Sequence, residues 1–278
     1  MNEFLISFWQ TYNTLFYTVL VHGMLALSIY ITLACGQLSL GNAAFMGIGA
    51  YTAALFTMKL NAPFALSLLA GGMLPAFVAL IIGAPTLRLS GVYLAMATLG
   101  FGEVVRVAFL NMSITGGSVG LNGVPPKTEL WHLLAVMAVL IYFFLKLRNS
   151  RFGRALEAIR EDEVAAAVMG IKTTWFKVWA FAIGAFIAGV AGGLNAHFTF
   201  FLSPREYGFD FAVDILTFAI LGGTGTFWGP LVGSTILTIL PEMLRFIGPY
   251  RLALNGLILV LVVIYLPNGI ITVKRKKD

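Results

Sequence analysis

From Phe4 to Met58 the chain contains no Asp, Glu, Lys or Arg. The same is true from Leu60 to Leu87, Leu130 to Leu145, Val178 to Pro204, Ile215 to Pro241 and Leu252 to Val273. A helix that crosses a bilayer needs about 20 mostly apolar residues. One charge at its centre costs about 2.5–3.5 kcal/mol on insertion scales, so runs of this length are what that cost selects. Charged residues are 11% of the 278, and 59% are hydrophobic, whereas a soluble domain carries about 25% charged residues. A chain this short has too little interior to hide so much apolar surface from water. The expected fold is all-α: a polytopic transmembrane helical bundle, one domain over residues 1–278, embedded in a lipid bilayer.

Nine hydrophobic segments lie near residues 14–35, 38–58, 64–84, 89–110, 130–147, 175–200, 211–227, 229–247 and 252–267, giving about eight to ten spans. The segment near 38–58 is glycine-rich and expected to be partly non-helical. Residues 211–247 read either as two spans with a tight break or as a re-entrant pair. Cytoplasmic loops collect Lys and Arg. Lys146, Arg148, Arg151, Arg154, Arg160, Lys172 and Lys177 flank one loop, and Lys274, Arg275, Lys276 and Lys277 form the tail. The loop (about 149–172) and the tail (274–278) are therefore assigned to the cytoplasm, four segments apart. Five segments precede the loop, which places the N-terminus outside. No basic, cleavable leader opens the sequence, so the first spans are expected to remain in the mature, multi-pass plasma-membrane protein. The net charge of +6 does not indicate nucleic acid, because the basic residues hug span ends, where the membrane accounts for them. The single cysteine, Cys35, excludes an internal disulfide and reads as a small buried hydrophobe.

The loop carries its own helix. Residues Arg154–Met169 are rich in Ala, Leu, Glu, Arg and Met, all good helix formers. Phe152, Leu156, Ile159, Ala166 and Gly170 follow a four–three spacing that Glu163 interrupts, which makes one mainly apolar side. Gly170 would close the helix in a left-handed cap. A helix lying on lipid headgroups would have a similar pattern, but Glu161, Asp162 and Glu163 would be repelled by anionic lipid. Docking of a cytoplasmic partner against Leu156 and Ile159, with Glu157 and Arg160 at the rim, fits better.

Two glycine-rich stretches interrupt the apolar runs. In Gly36–Tyr51, Gly41, Gly47 and Gly49 stand among Ser39, Asn42, Ala43 and Ala44. Small residues let helices approach closely in lipid. Gln37, Ser39 and Asn42 are uncharged polar groups that would cost several kcal/mol unpaired in lipid, so they should face protein or a wet cavity. In Gly222–Gly233, Gly222, Gly223, Gly225, Gly229 and Pro230 must break or kink a helix. Paired interrupted segments in two halves of a chain can line a pathway. Elsewhere, Glu103 and Arg106 are spaced to pair on a helix, and Thr115–Pro126 is a glycine-rich loop placed outside by parity.

These residues carry a resemblance. Gly153-Arg-Ala-Leu-Glu-Ala-Ile-Arg160 followed by Val-Met-Gly170-Ile is similar to the "Glu-Ala-Ala" coupling loop of ABC importer permeases, here with the triplet Glu157-Ala158-Ile159. Gly36–Tyr51 resembles the signature GxLSLGxAAFxGIGAY of the branched-chain amino acid permeases, the LivM/LivH family, and is LivM-like. Leu87–Glu103 resembles LRLxGxYxAxxTLxxxE, Thr115–Pro126 resembles TGGxxGLxGIP, and Leu221–Gly233 resembles LGGxGxxxGPxxGA. The matches run in order along nearly the whole chain. They imply the membrane permease subunit of an ATP-driven importer for branched-chain or related amino acids. The implied partners are a homologous second permease, two cytoplasmic ATPases and an extracytoplasmic binding protein. ATP and Mg would be used by the ATPases, with no cofactor bound by this chain. The implied coupling residues are Gly153, Arg154, Leu156, Glu157, Ala158, Ile159, Arg160 and Gly170. The implied pathway residues are Gln37, Ser39, Gly41, Asn42, Gly222, Gly223, Thr224 and Gly225.

No lysine follows a glycine, so the chain lacks a Walker A loop. His22, His132 and His197 are isolated in sequence, and no catalytic or metal-binding set can be argued from them. An ion-coupled transporter of a small polar solute is the alternative; its relay carboxylates would have to be Glu103, Asp210 or Asp214, all near span ends. A permease for urea or amides also stays open, and a membrane scaffold without transport ranks third.

Overall fold

A computed structural model of the chain describes residues 2–243, 256 and 269–271, with side chains from residue 12 onward. The chain runs through α1 (Asn2–Leu33), α2 (Asn42–Lys59), α3 (Phe64–Thr86), α4 (Val92–Asn111) and α5 (Leu130–Arg148). It continues through α6 (Arg151–Glu161), α7 (Glu163–Val168), α8 (Thr173–Thr199), α9 (Phe209–Gly222) and α10 (Trp228–Met243). Two short strands, β1 (Leu121–Asn122) and β2 (Phe201–Leu202), pair antiparallel. The expected segment near 252–267 and the basic tail 274–278 lie outside the described residues.

Among the described residues, five helices are long and apolar enough to cross a membrane: Tyr12–Leu33 within α1, α3, α4, α5 and α8. The span of α8 is 72% buried inside the chain, against 17% for α4 and for α5. The bundle is therefore built around α8 and the enclosed α2, while α4 and α5 turn most of their surface outward. The 38–58 segment is partly non-helical, as expected: α2 begins only at Asn42. The 211–247 segment divides into two helices about a break at residues 223–227. At 14 and 16 residues, the described α9 and α10 are shorter than the roughly 20 that a span needs.

Glycine sets how closely the central helices approach. A methyl on Gly49 of α2 would lie 2.3 Å from the backbone of Gly189 in α8, and one on Gly189 would lie 2.3 Å from the Gly71 carbonyl oxygen of α3. Three backbones thus meet with no side chain between them, the packing that small residues permit in lipid. Gly41 differs, because its nearest neighbour to an added methyl is a Phe45 ring atom at 3.4 Å. We expect Gly49→Ala to destabilise the chain by about 1–3 kcal/mol through overpacking and Gly41→Ala to behave as wild type. Thermal unfolding of the two variants in the same detergent measures the difference.

Contacts fix the directions of α1, α2, α3 and α8. A methyl on Gly36, just past the end of α1, would lie 3.6 Å from Arg160 Cα, so α1 ends at the α6 loop and its start is at the opposite end. Thr57 near the end of α2 bonds His197 near the end of α8, at 2.9 Å, so these two helices run parallel, away from the loop. Gly83 near the end of α3 faces Phe181 near the start of α8, so α3 returns to the loop end. The β1–β2 ladder closes the far end. This order agrees with the N-terminus and the basic loop lying on opposite sides.

Candidate functional site

The loop helix is built differently from the sequence expectation. It is not one helix over 154–169 but two, α6 and α7, broken at Asp162 (φ −156°, ψ 109°). The Asp162 carboxylate accepts from the backbone N–H groups of Val164 and Ala165 at 2.8 and 3.0 Å, so it caps α7 rather than continuing α6. An Asp ahead of an acidic first turn is a start signal that the residues Asp162-Glu163 carry. Ser150 caps α6 by accepting from Gly153 N–H at 3.0 Å. Gly170 follows α7 with φ +85°, the expected left-handed position. Gly153 passes close over the end of α5, where a methyl would lie 2.1 Å from the Leu147 carbonyl oxygen.

The apolar side of α6 also faces the other way. Leu156 and Ile159 are 2% and 3% exposed, buried within the chain rather than offered to a partner. Glu163, which interrupts the apolar spacing, forms an ion pair with the buried Lys177 of α8 and ties α7 to the bundle. Arg154, Glu157 and Arg160 are exposed, and Ala158 is half-buried. The apolar groups left outward are Val164, Val168 and Met169, at 73%, 82% and 82% exposed.

Arg160 joins the loop to the second glycine-rich stretch. Its guanidinium donates to the Thr224 carbonyl at 2.8 Å and to Thr224 Oγ1 at 2.9 Å. At this break α9 and α10 approach backbone to backbone: a methyl on Gly222 would lie 1.8 Å from the Gly229 carbonyl oxygen. Gly223 adopts φ +94°, open to glycine without strain. The Leu221 and Gly222 carbonyls accept from Ile270 and Ile271 N–H at 3.0 Å each, which satisfies the end of α9 as lipid requires. Gly225 and Thr226 line a cavity of about 300 Å³ together with Tyr30, Leu156 and Glu157.

The first stretch is packed rather than open. Gln37, Ser39 and Asn42 are 3%, 0% and 3% exposed. Asn42 donates to Ser28 Oγ at 2.9 Å, and Leu40 N–H finds the Thr98 hydroxyl at 2.9 Å. Gln37, Ser39, Gly41 and Asn42 line none of the three larger cavities. Gly36, however, lies against Arg160, so both glycine-rich interruptions meet the same loop residue, an arrangement no local sequence signal carries.

Of the other singled-out groups, Glu103 and Arg106 pair at 2.7 Å. Both ring nitrogens of His197 are engaged, by Thr57 Oγ1 at 2.9 Å and the Gly193 carbonyl at 2.8 Å. His132 belongs to the cap of α5 with Glu129. His22 stands apart: its Nδ1 is 2.8 Å from Thr238 Oγ1 of α10, and it borders two further cavities. Its signal was its place in a charge-free span, where an ionisable group marks function by default.

Spanning helices, two glycine-rich interruptions, cavities that carry polar groups and a helical loop wired to one interruption have the make-up of a multi-pass membrane transport subunit. The family described as "Branched-chain amino acid transport system / permease component" matches residues 11–265, and the chain belongs to that family. It is 33% identical over 286 residues to the high-affinity branched-chain amino acid transport system permease protein LivM of Salmonella typhimurium, covering 90% of this chain and 67% of the relative. Identity to the corresponding Escherichia coli K12 protein is 32% with the same coverage. LivH of E. coli K12 is 34% identical over 140 residues, 50% of this chain and 44% of that one. No solved structure matches the chain.

Proposed function

We propose that this chain is the translocating subunit of an ATP-driven importer of branched-chain or related amino acids. It sits in a bacterial cytoplasmic membrane with the α6–α7 loop on the cytoplasmic side. Two ATPases act on that loop, a homologous second permease completes the pathway, and an extracytoplasmic binding protein delivers the solute. The observation that carries this reading is the double hydrogen bond from Arg160 to Thr224. A push on the loop reaches the α9–α10 break directly, and a packed bundle converts such a local shift into a change between discrete states. The relatives named for branched-chain amino acid transport support the substrate class, and the pair of LivM-like and LivH-like relatives supports a second permease.

In this scheme the ATPases contact Val164, Val168 and Met169, with the exposed acidic residues beside them. Proteoliposomes containing this chain, its partner permease, both ATPases and the binding protein should take up L-leucine, L-isoleucine or L-valine only with internal or external ATP at the ATPase face. Uptake driven by an ion gradient without ATP would instead establish the secondary-transporter alternative.

A further inference from the structure

Two partly open cavities of about 240 and 280 Å³ are both bordered by Thr18 and His22 of α1. Their volumes fall at or below the lower end of the usual ligand range, about 300–1,000 Å³, a size for a small solute. The first is also lined by Met46, Glu206, Tyr207 and Phe211, the second by Asp214, Thr217, Phe218 and Thr238. Each therefore combines one carboxyl group with apolar surface. No Lys or Arg lines either one among the described residues.

The hydroxyl groups sharpen this polarity. Thr18, Thr217 and Thr238 each donate to the backbone carbonyl one turn earlier, Thr14, Val213 and Ser234, at 2.8, 2.8 and 2.6 Å. With their protons committed, these oxygens present lone pairs to anything else they meet. Burial holds the Glu206 carboxyl above the usual carboxylate range, and neither Glu206 nor Asp214 is in an ion pair among the described residues. Both carboxylates keep solvent exposure, so a cation that enters either cavity can reach one and be held beside it.

We infer that these two cavities form a two-station solute site within the chain, selective for a small amphipathic molecule bearing an ammonium group. The ammonium is received by Glu206 or Asp214 with the threonine oxygens, the apolar part by Met46 and Phe211 or by Phe218. Thr18 and His22 stand between the stations, with His22 held by Thr238. The inference rests on the transport reading above and deepens it, and it places the solute between α1, α9 and α10 rather than along Gln37–Asn42.

Cysteine protection tests it on the purified full-length chain. In a Cys35→Ser background, Thr18→Cys and, as a second reporter, Thr217→Cys are alkylated with N-ethylmaleimide, with exposed Val119→Cys as control. L-leucine and 3-methylbutylamine should slow alkylation of both reporters severalfold, and 4-methylpentanoate, which lacks the ammonium, should not. Glu206→Gln combined with Asp214→Asn should abolish the protection while leaving the control rate unchanged. Equal protection by 4-methylpentanoate, or no protection at either reporter by either amine, overturns the assignment. ATP-driven uptake by the full system with no protection removes the cavities and leaves the transport reading standing. Protection without ATP-driven uptake does the reverse.

Discussion

Replacing Arg160 by Gln is expected to leave a folded chain that assembles with its ATPases and permits ATP hydrolysis, while transport falls about 10- to 100-fold. Arg160 is exposed, so Gln takes its place without a clash or a buried charge and the variant still folds. What disappears is a forked, charge-assisted contact to Thr224, a kind of bond worth about 1.5–3 kcal/mol, with 1.4 kcal/mol equal to a factor of ten. Gln is too short, and lacks the fork, to reach both the carbonyl and the hydroxyl. Arg160→Lys keeps the charge but offers a point donor in place of a planar fork, and should recover part of the loss. Thr224→Val removes only the hydroxyl acceptor and should also fall between. The quantity to measure is solute transported per ATP hydrolysed in proteoliposomes. A ratio unchanged from wild type in Arg160→Gln would exclude Arg160 from coupling, and a structural defect alone would lower both activities together.

Leu156→Asp and Val168→Asp should fail in opposite ways, although both place a carboxylate on the same loop. Leu156 is 2% exposed, so the first variant buries an unpaired charge. Breaking the balance of a buried charge costs about 3–5 kcal/mol, a large part of a total stability of about 5–15 kcal/mol. The chain should be recovered in low yield and unfold at lower temperature. Val168 is 82% exposed, so the second variant should fold normally and lose ATPase co-purification. An interface anchor typically carries about 2 kcal/mol or more. Normal yield with Leu156→Asp, or full ATPase recovery with Val168→Asp, would return the docking face to Leu156 and Ile159.

Features that rest on local rules were legible in the residues alone. Charge-free runs identified the spanning helices because lipid penalises charge wherever it falls. The spacing of Glu103 and Arg106 gave their ion pair, and the left-handed conformation of Gly170 followed from its place after a run of helix formers. Glycine composition marked both interruptions, because freed backbone in a membrane needs protein around it. Of the spaced residues Phe152, Leu156, Ile159, Ala166 and Gly170, all but the exposed Gly170 are buried or half-buried.

Where the loop's apolar side points was set by the packing of the whole chain. An apolar stripe on a membrane protein can face lipid, a partner or the chain's own core at similar hydrophobic gain, so periodicity cannot choose among them. The folded chain chose the core, and left Val164, Val168 and Met169 outside. The link from Arg160 to Thr224 spans 64 residues, and Glu163 meets Lys177 across a helix boundary. The cavities beside His22 need three helices at fixed rotations about their axes. Each depends on how separate helices pack against one another, and that is a property of the bundle, not of any one segment.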